Sequence, residues 1–374
     1  MFYILYMFWA QYVFNEVTGI LSILGLVILF LTVIEKKKIN KYRILLPLIL
    51  FLILLVGISL INGSVSMRYT FQIAKYLIPC FGIFAYATKS ENHFRKILFI
   101  FSIACVLLSV SLWFKGEVNG EGARQLADLN VNLASNFLTI GFFSTLFLIE
   151  IKKIIIFRNL YYVIVCGILC SAQMLCASRR GFIIMIFLLA AYIFCWLAIM
   201  KRKQYVTKIM IMFMILLVII FLLNIYGEAF SNMVVVRRLL GENTTGDLAR
   251  AQYKIIALCI FKNNPLIGSG LGAVEKIAGA YSHSLYYELL ACTGTIGFSL
   301  MIGYLIHLFR KTWKLKTFYI DYIKERAFQS FFMMFFVLSL FISGITMVYI
   351  YESYFYMIIG IVCSYICLYT KIIK

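Results

Sequence analysis

Between residues 246 and 297 the chain gathers Asp247, Arg250, Lys254, Lys262, Lys276 and His283, in a sequence that otherwise keeps charge near the ends of apolar runs. Asp247, Arg250 and Lys254 fall at i, i+3 and i+7, so on a helix they form one polar stripe. Such a stripe offers a phosphate clamp, with Asp247 orienting Arg250 and Lys254 beside it. It is equally a solvated helix face whose ion pair contributes about 0.2–0.5 kcal/mol. His283 supplies an imidazole that can take a proton from a hydroxyl as it attacks a carbon centre. A lone histidine is, however, more often a structural hydrogen-bonding residue. Arg179 and Arg180 stand in Ser178-Arg179-Arg180-Gly181, an abrupt break between apolar runs. A guanidinium fork matches phosphate oxygens bidentately and keeps its charge at any working pH; the competing reading is snorkelling to lipid headgroups.

Two more ionisable residues, Glu288 and Lys75, lie inside apolar runs, where charge is costly and points to function. Glu288 follows His283 by about 500° of helix, so the two do not share a face. Its expected partner is a cation on a neighbouring helix. Arg68, Gln72 and Lys75 mark one face of a single span, suited to a carrier phosphate or to snorkelling. His93 and His307 fall on the opposite side of the expected topology and take no catalytic role.

The elements that must position these residues follow from local pattern. Residues 247–261 lack Pro and Gly and predict a helix lying at a membrane surface, ended by Asn263-Asn264-Pro265. Gly268, Gly270 and Gly272 predict a tight turn that lets the backbone pass close to a headgroup. No strand pattern precedes them, so they are not a dinucleotide-binding loop. His283 then leads into a long apolar run.

The whole chain is of one kind. With 374 residues, 63% hydrophobic and 13% charged, and a mean hydropathy of +0.96, it is an integral membrane protein rather than a soluble domain. The net charge of +20 invites a nucleic-acid reading, but its placement argues otherwise. Apolar runs at 2–14, 17–34, 44–61, 69–87, 97–114, 131–149, 160–177, 182–200, 208–226, 284–308, 331–348 and 354–369 predict an all-α polytopic fold of about twelve spans. Of the 35 Lys and Arg residues, 23 fall in loops or ends that alternation assigns to the inside, the positive-inside pattern. Both termini are then cytoplasmic, and residues 227–282 form one large external loop containing short helices within a single membrane domain, 1–374. The ten cysteines lie mostly within apolar runs, Cys259 excepted, and imply no disulfide framework. No clustering of His, Asp and Glu has metal-ligand spacing, so neither metal nor cofactor is expected.

The order R-x-x-Y, then P-L-I-G-S-G-L-G, then H-S-L-Y-Y-E-L-L-A-C-T-G-T-I-G resembles the shared core of the O-antigen ligase and O-antigen polymerase (WaaL/Wzy) superfamily, most of all the Wzy-type polymerases of polysaccharide repeat units. Ser178-Arg179-Arg180-Gly181 resembles the S-R-G element joining two spans in that family, and Asn130, Asn132 and Asn136 resemble its N-x-x-A-x-x-L span entry, with sugar as the implied partner. The resemblance implies a metal-independent glycosyltransferase of the bacterial cytoplasmic membrane with an outward-facing site. Glycan would pass from undecaprenyl pyrophosphate to a second lipid-linked repeat unit or, in a ligase, to lipid A–core. It further implies His283 and Arg250 as catalytic residues, with pyrophosphate held by Arg179, Arg180 and Arg250 and by Arg68 and Lys75. Asp247, Lys254 and Glu288 would be secondary. The implied partners are an undecaprenyl-pyrophosphate-linked oligosaccharide, membrane lipids, a flippase and a chain-length regulator, with no nucleic acid. A flippase or other transporter is the reading from a different class; it expects charge deep in a central cavity and related broken helices, whereas charge here collects in one loop.

Overall fold

The computed structural model describes residues 39–118, 123–126, 129–149, 156–199 and 245–370, together with Ile4. A short 3-10 turn, Ile39–Leu45, leads into α1 (Leu46–Asn62), α2 (Ser64–Ala87) and α3 (Glu91–Lys115). After a two-stranded ribbon, β1 (Glu117–Val118) and β2 (Arg124–Gln125), come α4 (Val131–Leu148), α5 (Ile156–Leu175) and α6 (Arg179–Ile199). The remainder comprises α7 (Thr245–Asn263), α8 (Ala273–Ala278), α9 (Leu285–Tyr322), α10 (Lys324–Gly344) and α11 (Ser353–Thr370). The chain is an all-α polytopic membrane protein. Among the described residues, seven helices are long and apolar enough to cross a membrane, and Leu160–Leu175 is a shorter apolar helix. Apart from Ile4, the spans expected at 2–14, 17–34 and 208–226 lie outside the described residues, as do 227–244 of the expected external loop.

Hydropathy locates the helices and misplaces some of their ends. The polar stretch 62–68, expected as a loop, contracts to Gly63, whose φ of 90° suits glycine. α2 begins immediately afterwards and carries Arg68 in its second turn. The basic stretch 310–316, also expected as a loop, is helical, because α9 continues to Tyr322. Arg310, Lys311, Lys314 and Lys316 are good helix formers with no Gly or Pro among them, so charge there ends the apolar run without ending the helix. The Lys316 ammonium lies 5.2 Å from the Trp313 ring centre and 5.1 Å from that of Phe331, which favours the cation there. The polar stretch 115–130 holds the antiparallel ribbon, with Glu117 opposite Gln125 and Val118 opposite Arg124.

The described residues divide into two compact units. The first draws on Met1–Thr18, Leu98–Asn243 and Trp313–Phe336. There α4 packs on α5 and α6 and is buried from Ala134 to Leu148. Gly141 on α4 leaves no room for a Cβ beside Cys105, the close approach that small residues permit between membrane helices. Phe143 stacks on Phe336 with ring centres 3.6 Å apart, and the Ser102 and Thr145 hydroxyls hydrogen-bond at 2.7 Å.

The second unit draws on Gly19–Ile97, Thr244–Thr312 and Val337–Lys374. Here α11, buried along most of its length, packs on α2, and α1 packs on α2 as well. Gly360 of α11 sits where a Cβ would stand 2.8 Å from the Cys80 carbonyl oxygen. Tyr304 donates from its hydroxyl to the Ile44 carbonyl at 2.9 Å, so a buried polar tip finds a partner in an apolar setting.

Candidate active site

In the second unit the site is built on a broken helix. At Gly294, φ is 62° and ψ −167°, which interrupts α9. A break strands backbone amides and carbonyls that an apolar environment cannot solvate. The loop 264–272 satisfies them. Ser269 N–H donates to the Ala291 carbonyl and Gly270 N–H to the Cys292 carbonyl, both at 2.9 Å. In return, Thr295 N–H donates to the Pro265 carbonyl at 2.9 Å and Ile296 N–H to that of Leu266 at 3.2 Å. Side chains are excluded from this seam: a Cβ on Gly268 would collide with the Cys292–Thr293 backbone, and one on Gly294 with the Leu266 carbonyl.

The same loop rests on α1 and α2. A Cβ on Gly270 would stand 2.8 Å from Asn62 Cβ, and one on Gly272 2.7 Å from Tyr69 Cε2. Leu271 N–H donates to Ser66 Oγ at 3.0 Å, and Ser66 in turn hydrogen-bonds Ser59 at 2.9 Å. The three glycines pack closely within the protein: Gly268 on the Cys292–Thr293 backbone, Gly270 on the Asn62 and Ser66 side chains, and Gly272 on the Tyr69 ring. The short helix α8 is tied to α2 by Tyr69, whose hydroxyl donates to Glu275.

His283 lies two residues before α9 with φ at 54°, a left-handed backbone that is uncommon for a residue other than glycine. Its imidazole is half-buried, 4.5 Å from the ring of Tyr281 and 5.9 Å from that of Tyr253, the latter at an interplanar angle of 27°. Tyr253 belongs to α7, the helix that also carries Asp247, Arg250 and Lys254. The expected helix over 247–261 is thus present, and its Arg250 stands one turn from the tyrosine that covers the histidine.

Glu288 is fully buried in the first turn of α9. Its Oε2 accepts from the Ser282 backbone N–H at 2.8 Å, and its Oε1 accepts from the Tyr351 hydroxyl at 2.9 Å and the Cys292 thiol at 3.5 Å. These donors replace the expected cation. Three donors to one carboxylate offset much of the cost of burying it. Tyr351 sits between α10 and α11; its hydroxyl accepts from Gly272 N–H at 3.4 Å and its ring lies 4.8 Å from that of Tyr69. Burial first, then the neighbouring Cys292 and Glu288, hold the Tyr351 hydroxyl protonated well beyond the usual phenol range.

Of the α2 residues flagged in the sequence, Arg68 and Lys75 are exposed, on one face with Gln72. Gln72 donates to the Tyr76 hydroxyl at 2.7 Å and to the Tyr351 carbonyl at 3.3 Å. That face of α2 therefore adjoins the Tyr351 segment.

In the first unit, Arg179 and Arg180 form the first turn of α6, and the turn itself spans 176–178. The Arg180 Nη2 donates to Asn136 Oδ1 at 3.2 Å, and the Ser178 hydroxyl donates to Asn132 Oδ1 at 3.1 Å. Asn130 caps α4 by accepting from Asn132 N–H at 2.8 Å. The asparagines flagged as sugar contacts thus organise the arginine turn. Gly181 admits no Cβ because Ser135 Oγ fills that space.

Sequence pattern assigns no individual role to three residues of these arrangements. Tyr253 was visible as the tyrosine of R-x-x-Y, and Tyr281 as the aromatic two before His283. Tyr351 gave no signal, since nothing local links residue 351 to 288.

The class defined so far is a polytopic α-helical membrane protein with a histidine-bearing loop buttressed by a broken helix. Residues 164–302 match the family described as O-antigen ligase, so that segment of the chain is similar to this family. Among curated proteins none matches this chain. A chain in the solved structure described as "Structural coordination of polymerization and crosslinking by a peptidoglycan synthase complex" is similar at a TM-score of 0.45 and 15% identity, covering 85% of this chain and 96% of that one.

Proposed function

We propose that the protein is a membrane glycosyltransferase that polymerises oligosaccharide repeat units, moving a glycan from undecaprenyl pyrophosphate to a hydroxyl of a second lipid-linked repeat unit. The observation that carries this reading is the placement of His283 against Tyr253, on the helix of Arg250, within the segment matching the O-antigen ligase family. The imidazole takes the proton of the attacking hydroxyl. The departing pyrophosphate needs charge stabilisation rather than protonation, which Arg250 supplies; Arg179, Arg180, Arg68 and Lys75 are further pyrophosphate-binding cations. Asp247 and Lys254 flank Arg250 on the same helix. No metal takes part. The protein works in the bacterial cytoplasmic membrane with its site outward, receiving substrate from a flippase and acting with a chain-length regulator.

The test is extension of synthetic undecaprenyl-pyrophosphate-linked repeat units by purified protein. His283→Ala stays folded in the membrane and leaves single repeat units; long glycan made at the normal rate by that variant removes His283 from the mechanism. A second reading is favoured by the description of the matching family: ligation to lipid A–core. Supplying that acceptor in the same assay separates the two, since a ligase consumes it and a polymerase does not.

A further inference from the structure

The residue before His283 is held from below. Ser282 N–H is bound by Glu288, Glu288 by Tyr351, and the Tyr351 hydroxyl by the amide of Gly272. Each link is a single hydrogen bond at 2.8, 2.9 and 3.4 Å. The chain runs from the glycine loop, through the segment between α10 and α11, to the backbone of the histidine. Further bonds clamp the same stretch: Ser282 Oγ donates to the Ser284 carbonyl at 2.8 Å, and Leu285 N–H donates to the Met347 carbonyl at 3.0 Å. Against this frame His283 keeps a φ of 54°, which costs on the order of 1 kcal/mol for a non-glycine residue and persists only where its surroundings over-determine it.

A carboxylate is the side chain this position requires. Ser282 N–H approaches Oε2 while Tyr351 and Cys292 approach Oε1, so both oxygens must accept. An amide has one accepting oxygen and would turn N–H groups toward a donor on the other side.

We infer that Glu288 and Tyr351 are positioning residues that lock the His283 backbone in its left-handed conformation and so aim the imidazole; neither touches substrate. The role of the aimed imidazole rests on the function proposed above, but the lock itself does not. Its experiment therefore reads the histidine directly. The purified full-length protein in detergent is treated with diethyl pyrocarbonate, and labelling of His283 and His93 is followed by mass spectrometry. His93 is an internal control, hydrogen-bonded through Nδ1 to Ser90 at 2.7 Å.

The expected result is that Tyr351→Phe and Glu288→Gln each change the His283 labelling rate several-fold while His93 reacts as in the wild type. In the transfer assay the same variants lower kcat by roughly ten- to a hundredfold, the cost of a misaimed catalytic group, with KM for the donor lipid within about twofold. Glu288→Asp, shorter by one methylene, does not restore the rate. Tyr351→Phe keeps the ring on Tyr69 and decides the matter where Glu288→Gln fails to fold. Unchanged His283 labelling in a folded variant, or an equal change at His93, overturns the lock. A changed labelling rate in a protein whose His283→Ala variant still makes long glycan keeps the lock and rejects the transferase role of His283 instead.

Discussion

The ring of Tyr253 lies 5.9 Å from the imidazole of His283 and inclined to it by only 27°. The two residues come from α7 and from the loop entering α9, so the helix bearing Arg250 and the loop bearing the histidine meet at an aromatic contact. Stacking of this kind contributes about 0.5–1.5 kcal/mol beyond simple burial. Tyr253→Ala should therefore lower kcat by up to about tenfold, whereas Tyr253→Phe, which keeps the ring, should stay near wild type. Chain extension on synthetic lipid-linked units measures both; equal losses would assign the effect to the hydroxyl.

Arg180 and Asn136 should behave as one element, because the guanidinium donates to the amide oxygen at 3.2 Å. Arg180→Ala and Asn136→Ala are each expected to reduce transfer, the arginine change more severely. The double variant should lose less than the sum of the two, with a coupling of about 0.5–3 kcal/mol. Additive losses would mean that the contact is incidental. Arg180→Lys is not a rescue, since an ammonium lacks the planar fork.

The seam between the glycine loop and the break in α9 makes a stability prediction that needs no substrate. Gly294 has a φ of 62°, and a Cβ there would strike the Leu266 carbonyl. Gly294→Ala and Gly268→Ala should each destabilise by at least about 2–3 kcal/mol, read as a fall in the thermal midpoint in detergent. Gly57→Ala, where no atom lies within 4 Å of the added Cβ, should leave the midpoint unchanged. A midpoint equally unaffected by Gly294→Ala would contradict the break.

In the mechanism proposed above, guanidinium groups stabilise the leaving pyrophosphate, so that mechanism requires no divalent cation. Chain extension should proceed at an undiminished rate in excess chelator. A loss restored by added magnesium would overturn the metal-independent mechanism.

How much of this was readable beforehand follows from the range of the interactions. Apolar runs at 131–149 and 354–369 coincide within a residue with α4 and α11, because hydrophobic length is a local property that a membrane imposes directly. The run at 284–308 marked where α9 starts and missed where it stops, since helical hydrogen bonding continues through lysines and arginines once the apolar stretch is over. Arg250, Arg179 and His283 stand out as candidates by residue type and spacing alone. The partners of Glu288 do not: two of the three lie within six residues, but the third, Tyr351, is 63 residues away, and the left-handed turn that brings Ser282 N–H onto the carboxylate is not encoded in a helical wheel. The three loop glycines were recognised as a close approach, and only the structure supplied what they approach.

An interrupted membrane helix often leaves bare carbonyls, and in transporters such carbonyls seat a travelling sodium ion. In this protein the carbonyls of Ala291 and Cys292 are already engaged by the amides of Ser269 and Gly270. The gap is stitched closed by the chain itself, with these two oxygens as its masonry.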